Sequence, residues 1–344
     1  PLGVVLRDGL PYACASPPTY VDRALAQPAH HRALHGSILQ HGKLFFEEGD
    51  GGTWEAKWSG LVFATNDWES NQLLWRQFSQ ALARRVGVWY FDMQSGWYSS
   101  PEMLSCMKRI ERASRLAAPI EHQSCAEIAV IADLDSLNYV ANWSSGKDTV
   151  TYPLLNEQWS QLYRMGAPFD LYDLPEFLSG NFSADNYKLV ILLNTFHLDD
   201  SQLDALKQRL DEFPVVLTNY APGYVSEEGL SLAQLGQVAG MQVIKLAGSA
   251  PAQAQLSGAA PLTWGLPEVE LSPAFAVEDS SAETLGMYTE GGQVALARSQ
   301  VGEGRRYYNA VPVLSAELLR WILAQEGLRL VGPSQDALSL DSRF

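Results

Sequence analysis

The chain has 344 residues, 47% of them hydrophobic and 18% charged, enough apolar side chain for two or three folded domains and too little charge for extended disorder. Its 39 acids and 24 bases leave a formal charge of −15. That argues against nucleic acid or an anionic membrane as the main partner, because each requires a basic stripe that releases counterions. No apolar run approaches the roughly 20 residues of a membrane span, and no signal-peptide pattern is visible. The three cysteines, Cys14, Cys106 and Cys125, lack zinc or redox spacing and read as free thiols of a reducing, cytoplasmic setting. The sequence opens Pro-Leu-Gly rather than with Met and enters the apolar Val4-Val5-Leu6 at once, which reads as a start in the middle of a fold.

In chain order, strands and helices are expected to alternate. Gly42–Glu48 (GKLFFEE) and Val86–Asp92 (VGVWYFD) are short, aromatic and acid-ended, the pattern of buried parallel strands. Between them Leu74, Phe78, Ala81 and Leu82 recur at helical spacing, with Thr65-Asn66-Asp67 upstream as a cap. Ser-Pro-Glu at 100–102 starts another helix, whose apolar side is read as Met103, Leu104, Met107, Ile110 and Leu116. Such alternation is the unit of a parallel α/β architecture. Ala118–Ser124 reads as a linker, dividing the chain into 1–119 and 120–344. Beyond it, Glu127–Asp133 (EIAVIAD) is a fully buried strand pattern, and Leu154–Gly166 is a helix closed by glycine. Further strands are expected in FDLYDL (169–174), Tyr187–Asn194 and PVVLTN (214–219), with Leu203, Leu206 and Leu210 on one helical face. This part predicts an open, doubly wound sheet of flavodoxin-like type. Short alternating strands over about 250–312 follow, with a hairpin turn at Glu290-Gly291-Gly292. A last helix spans 315–327, and the tail beyond Gly332 is expected to fray.

In a parallel barrel the loops after the strands form the active face. Glu47, Glu48 and Asp92 stand at two such strand ends, and Trp54, Trp58, Trp68, Trp89 and Trp97 crowd the same loops. A retaining glycosidase needs two carboxylates about 5 Å apart, one as nucleophile and one as acid/base, and aromatic rings to seat the sugar. The same residues also read as solvated strand ends with ordinary packing. A second chemistry is open. His31 and His35 are spaced i, i+4, and with His30, His41, Glu47, Glu48 and Asp50 they offer donors for zinc or a similar divalent metal; the ligand set would be His31, His35, His41 and Asp50. A metal-bound hydroxide would hydrolyse esters or phosphoesters without a second carboxylate. The spacing lacks the glutamate of HExxH, and no GxSxG elbow, P-loop or GxGxxG follows a strand.

The segments SPPTYVDR (16–23), SILQHGKLFFEEGD (37–50), LLWRQFSQALARRVGVWYFDMQSGWYSSPEM (73–103) and EIAVIAD (127–133) together resemble the clan-A glycoside hydrolases related to family 42 β-galactosidases. The resemblance implies the last units of a catalytic (β/α) barrel, followed by a trimerisation domain with a fold like that of glutamine amidotransferases. It places the nucleophile of a retaining mechanism at Glu48, with Glu47 turned away by strand alternation. It implies substrate contacts from Asp92, Trp97, Tyr98 and Trp54, with His41 and Lys43 supporting the loop, and no cofactor. Two departures stand out. Gly49-Asp50-Gly51-Gly52-Thr53 replaces the family's Asp-x-Arg-Thr, so its arginine is missing. The family's acid/base glutamate follows an asparagine far upstream of the nucleophile, whereas the chain's Asn-Glu pair, Asn156-Glu157, lies in the second part. These departures imply a truncated barrel, weak or absent glycosidase activity, and an apolar inner face covered in a homo-oligomer, a trimer or larger. A non-catalytic assembly module is the third reading, and Cys125, ahead of its strand rather than at an elbow, leaves the second part catalytically silent.

Overall fold

The computed structural model describes residues 12–15, 23–29, 33–56, 63–92, 96–121, 123–140, 150–258 and 262–332. Two sheets organise them. The small one holds β1 (Tyr12–Ala15), β2 (Leu44–Gly49) and β3 (Gly87–Tyr90) in that order, all parallel. Helix α1 (His35–Gln40) leads into β2, α2 (Asp67–Ala83) joins β2 to β3, and α3 (Pro101–Ala117) follows β3. The caps are those the sequence marks: the Asn66 side chain accepts the Glu69 N–H, and Ser100 accepts the Met103 N–H just before Pro101.

Helices α2 and α3 pack on one face of this sheet. Leu74 and Phe78 of α2 meet Met103, Cys106 and Ile110 of α3, and Val88 and Tyr90 of β3 close the cluster from below. Phe45 joins Ala33, Ile38 and Val86 on the same side. The opposite face is open: Leu44 is 61% exposed, Phe46 38% and Trp89 40%. The helix-spacing expectation for α3 holds for Met103 and Ile110 and fails for Leu104 and Leu116, which are exposed. Leu104 instead borders a trough beside β3.

In the large sheet β4 (Ile128–Ala132), β5 (Phe169–Asp173), β6 (Leu189–Leu192) and β7 (Val215–Asn219) lie parallel in the order β5-β4-β6-β7. A small ribbon of β8 (Val225–Ser226) and β9 (Gly229–Leu230) stands apart. The antiparallel part comprises β10 (Val243–Lys245), β11 (Ala250–Leu256), β12 (Thr263–Leu271), β13 (Phe275–Val277), β14 (Glu283–Tyr288) and β15 (Val294–Val301). Strand β16 (Gly304–Asn309) joins the two halves, antiparallel to β15 and parallel to β7. Gly291 and Gly292, both at positive φ, turn the β14–β15 hairpin where expected.

Every residue of β4 is buried, because both faces are covered. Ile128, Val130 and Ala132 enter a core with Leu162 of α4 (Gln158–Arg164) and with Leu319 and Ile322 of α8 (Ala316–Gln325). Ala129 and Ile131 face Leu174 and Phe177 of α5 (Leu174–Leu178) and Leu206 of α6 (Asp200–Leu210). Val238 of α7 (Leu232–Ala239) joins them. This two-sided burial is what a continuous apolar strand requires.

The two sheets meet through α1. A Cβ on Gly36 would sit 2.5 Å from the Tyr172 ring and 2.6 Å from the Leu171 carbonyl oxygen, so only glycine lets α1 approach β5 this closely. Ser37 Oγ accepts the Asp173 N–H at 2.8 Å, and His41 Nε2 lies 2.7 Å from Glu176 Oε2. Arg84, buried, stands over the rings of Tyr163 and Phe169 at 5.1 and 5.4 Å.

Candidate functional site at the ends of the small sheet

Neighbouring residues of β2 look in opposite directions, since side chains alternate along a strand. Glu47 is 3% exposed and turns to the helix side with Phe45, while Glu48 is half-buried on the open face with Leu44 and Phe46. The parallel register sets Glu48 beside Trp89 and Phe46 beside Gly87. Gly87 leaves room for the Phe46 ring: a Cβ there would stand 2.5 Å from it. Trp89 and Phe91 stack at a tilt, 5.0 Å between centroids. The open face therefore carries one carboxylate at the C-terminal half of the central strand, flanked by an exposed indole.

Behind that face is a charged layer. Glu47, Arg23, Arg76 and Gln77 line a small cavity between β2 and α2. Arg76 donates to the carbonyls of Arg23, Ala24 and Gln27 at 2.7 to 2.9 Å. Burial pulls its guanidinium down to about 10, against the opposing pull of Glu47. Arg23 in turn holds Asp50 at 2.5 Å. Gly49, between Glu48 and Asp50, presents its carbonyl to the Tyr98 hydroxyl (3.2 Å) and the Phe91 N–H (2.9 Å). Gln77 reaches the Glu48 carbonyl with a long contact of 3.5 Å.

The loops after β2 and β3 are joined to each other. Thr53 Oγ1 donates to the Trp97 carbonyl. Glu55 accepts the N–H groups of Ser99 and Ser100 at 2.9 and 3.1 Å. Trp54 Nε1 and Ser100 Oγ both donate to Asp67 Oδ1. Asp92 Oδ2 accepts the Trp97 N–H at 3.2 Å. Burial, with Asp92 and Asp50 nearby, holds the Tyr98 phenol above its ordinary value, so it stays a neutral donor.

These contacts sort the residues singled out from sequence. Glu48 stands on the open face. Trp97 is fully buried among Leu74, Phe78 and Met103, and Tyr98 is buried beside it; with Asp92 and Trp54 they hold the two loops together on the helix side. His41 faces Glu176 of α5, and Lys43 is half-buried just before β2. Of the proposed metal ligands, His35 is buried against Phe45, with ring centroids 5.0 Å apart, while His41 and Asp50 are held by Glu176 and Arg23. His30 and His31 lie outside the described residues, as does Trp58. Among the described residues no three His, Cys, Asp or Glu side chains converge to hold a metal ion. Sequence reasoning left Trp89 undistinguished among the tryptophans, and Phe91 unmarked. The signal for both was available in the alternation of β3, which turns residues 89 and 91 to one face and 88 and 90 to the other.

No family model and no curated protein matches the chain in sequence. Solved structures do match in fold. The β-galactosidase from the psychrophilic Marinomonas ef1 is 17% identical with a TM-score of 0.61, covering 92% of this chain and 49% of that one. A catalytic mutant of Gan42B, a GH42 β-galactosidase from G. stearothermophilus, is 16% identical with a TM-score of 0.60, covering 86% and 46%. The exo-β-1,4-mannosidase Op5Man5 from Opitutaceae bacterium strain TAV5 is 10% identical with a TM-score of 0.51, covering 82% and 57%. The chain thus has a mixed α/β fold matching parts of GH42 β-galactosidases, and it spans about half the length of the β-galactosidases it matches. No helix among the described residues is long and apolar enough to cross a membrane.

Proposed function

We propose that this chain is a glycoside hydrolase-related protein in which Glu48 occupies the nucleophile position of a retaining mechanism, acting on a β-galactoside-like sugar. The small sheet is read as part of a (β/α) barrel, and the large sheet, with helices on both faces, as a doubly wound, amidotransferase-like unit. One observation carries the reading: Glu48, and not Glu47, stands on the open face of a central parallel strand beside an exposed tryptophan. In a barrel that face points inward, and its residues at the C-terminal ends of the strands border the active site.

In this reading the Glu48 carboxylate attacks the anomeric carbon as the glycosidic bond breaks, forming a glycosyl ester that water then hydrolyses. Trp89 offers its indole to the apolar face of the sugar. The joined loops keep the strand ends fixed, and Arg23 neutralises Asp50 beside the nucleophile. Two acids at the ends of β2 and β3 are otherwise engaged, Asp50 with Arg23 and Asp92 with the Trp97 N–H. Leaving-group protonation then has no donor from these two, and its loss costs about 10²–10⁴ in rate. The chain alone should therefore act on activated glycosides only.

The test uses a substrate that needs little protonation. A dinitrophenyl 2-deoxy-2-fluoro-galactoside should leave a covalent hexosyl adduct on the Glu48 peptide, detected by mass spectrometry, and Glu48→Gln should abolish it. An adduct on Glu47, or equal labelling of the Glu48→Gln variant, overturns the assignment.

A further inference from the structure

The end of β2 is held from the side opposite to Glu48. Gly49, the next residue, closes the pairing with β3, and its carbonyl accepts the Phe91 N–H at 2.9 Å. A strand end held by one such bond is an early place to fray. Here the same carbonyl accepts a second donor, the Tyr98 hydroxyl, at 3.2 Å. Tyr98 is buried with Leu74, Phe78 and Met103 on the helix side, across the sheet from the open face that carries Glu48. Its neighbours in the chain fix it in turn. Trp97 gives its N–H to Asp92 Oδ2 at 3.2 Å and its carbonyl to Thr53 Oγ1. Ser99 and Ser100 give their N–H groups to Glu55 at 2.9 and 3.1 Å. Burial, with Asp92 and Asp50 nearby, keeps the phenol protonated, so the donor is present at neutral pH. Tyr90 supplies a contrast. Its ring lies 5.9 Å from that of Tyr98, yet its hydroxyl donates to the Leu74 carbonyl of α2 at 3.0 Å and not to β2.

We propose that Tyr98 is a positioning residue for Glu48: its hydroxyl fixes the end of β2 through the Gly49 carbonyl and so aims the carboxylate at the anomeric carbon. The inference rests on the reading of Glu48 as nucleophile. Attack needs the carboxylate oxygen within about 3–3.5 Å of that carbon, and a displacement of about 1 Å costs roughly 10²-fold in rate. Removing one of the two bonds to Gly49 leaves the other, so part of that loss is expected. Tyr98 does not touch the sugar in this arrangement, and substrate affinity should not depend on its hydroxyl.

The test follows labelling of the full chain, Tyr98→Phe and Tyr90→Phe by the dinitrophenyl 2-deoxy-2-fluoro-galactoside over a range of concentrations, together with amide hydrogen exchange. In labelling, a Glu48 carboxylate oxygen bonds to the anomeric carbon and dinitrophenolate leaves with the bonding electrons, so no proton donor enters. Expected for Tyr98→Phe are a limiting labelling rate about tenfold lower, an unchanged half-saturating concentration, and Phe91 amide exchange about tenfold faster. Exchange at Ile131 in the large sheet should not change. Tyr90→Phe removes a neighbouring phenol bond of the same kind and should label like the unaltered chain in both constants. Equal slowing by both variants would mean a general loosening of the sheet and overturns the proposal. So does a Tyr98→Phe variant that labels at the original rate, and so does one that changes only the half-saturating concentration, which would make Tyr98 a substrate contact. These outcomes leave the nucleophile reading standing. Absence of label at Glu48 in the unaltered chain overturns that reading, and the role of Tyr98 with it.

Discussion

Strands β2 and β4 begin from similar apolar runs and end in acids, yet they have opposite fates. Strand β4 is covered on both faces by helices, and all five of its residues are buried. Strand β2 is covered on one face only, so its burial alternates and Glu48 reaches the open side. An apolar run thus states how much a strand can bury; the layers around it decide how much it does bury. A carboxylate within β4 would be enclosed by helices on both sides, whereas one on the open face of β2 reaches the surface.

The largest expected effect sharpens this contrast. Ile131→Asp places a charge in the covered sheet and should cost about 4 kcal/mol or more. Leu44→Ser on the open face should change stability by less than about 0.5 kcal/mol at low protein concentration. Equal losses of urea stability for the two variants would break the comparison.

Two acids stand buried at the ends of β4 and β5 in the large sheet. Burial, reinforced by Asp133 and Asp135, pushes Asp173 up to about 7, and burial pushes Asp133 up to about 6. Between pH 4 and these values the folded chain holds protons that the unfolded chain has lost, so stability falls as pH rises through that window. Asp173→Asn retains an acceptor for the Leu134 and Leu174 N–H groups and should flatten the fall, raising stability at pH 8 by on the order of 2 kcal/mol. Urea titrations at pH 5 and 8 check both sign and size.

The joint between the sheets should respond by similar or smaller amounts. Gly36→Ala drives a methyl into Tyr172 and the Leu171 carbonyl and should cost about 1–3 kcal/mol, with α1 loosening first by hydrogen exchange. His41→Ala removes a partly exposed pair with Glu176 and should cost less than about 1 kcal/mol in the same urea titration. A larger loss would mean that the pair, rather than Gly36, holds α1 on β5.

Local chemistry was readable along much of the chain. Asn66 and Ser100 announced their caps, Gly291-Gly292 their hairpin, and EIAVIAD its buried strand, because each depends on a few residues and their own backbone. The opposite facing of Glu47 and Glu48 follows from strand alternation alone. The helix-spacing expectation erred for Leu104 and Leu116 because periodicity gives an apolar stripe but not the neighbour that covers it.

What only the tertiary structure decided concerns groups that meet across distance. Trp97 and Trp89 are the same residue type eight positions apart, yet Trp97 is buried where α2, α3 and the joined loops converge, and Trp89 stands open beside Glu48. His35 and His41 are one helix apart, but the first packs on Phe45 and the second faces Glu176. Sequence determined the elements and the facing of each side chain within them, since those rest on backbone geometry repeated every few residues. Exposure and partnership came from packing, because burial is a property of the surroundings and not of the residue.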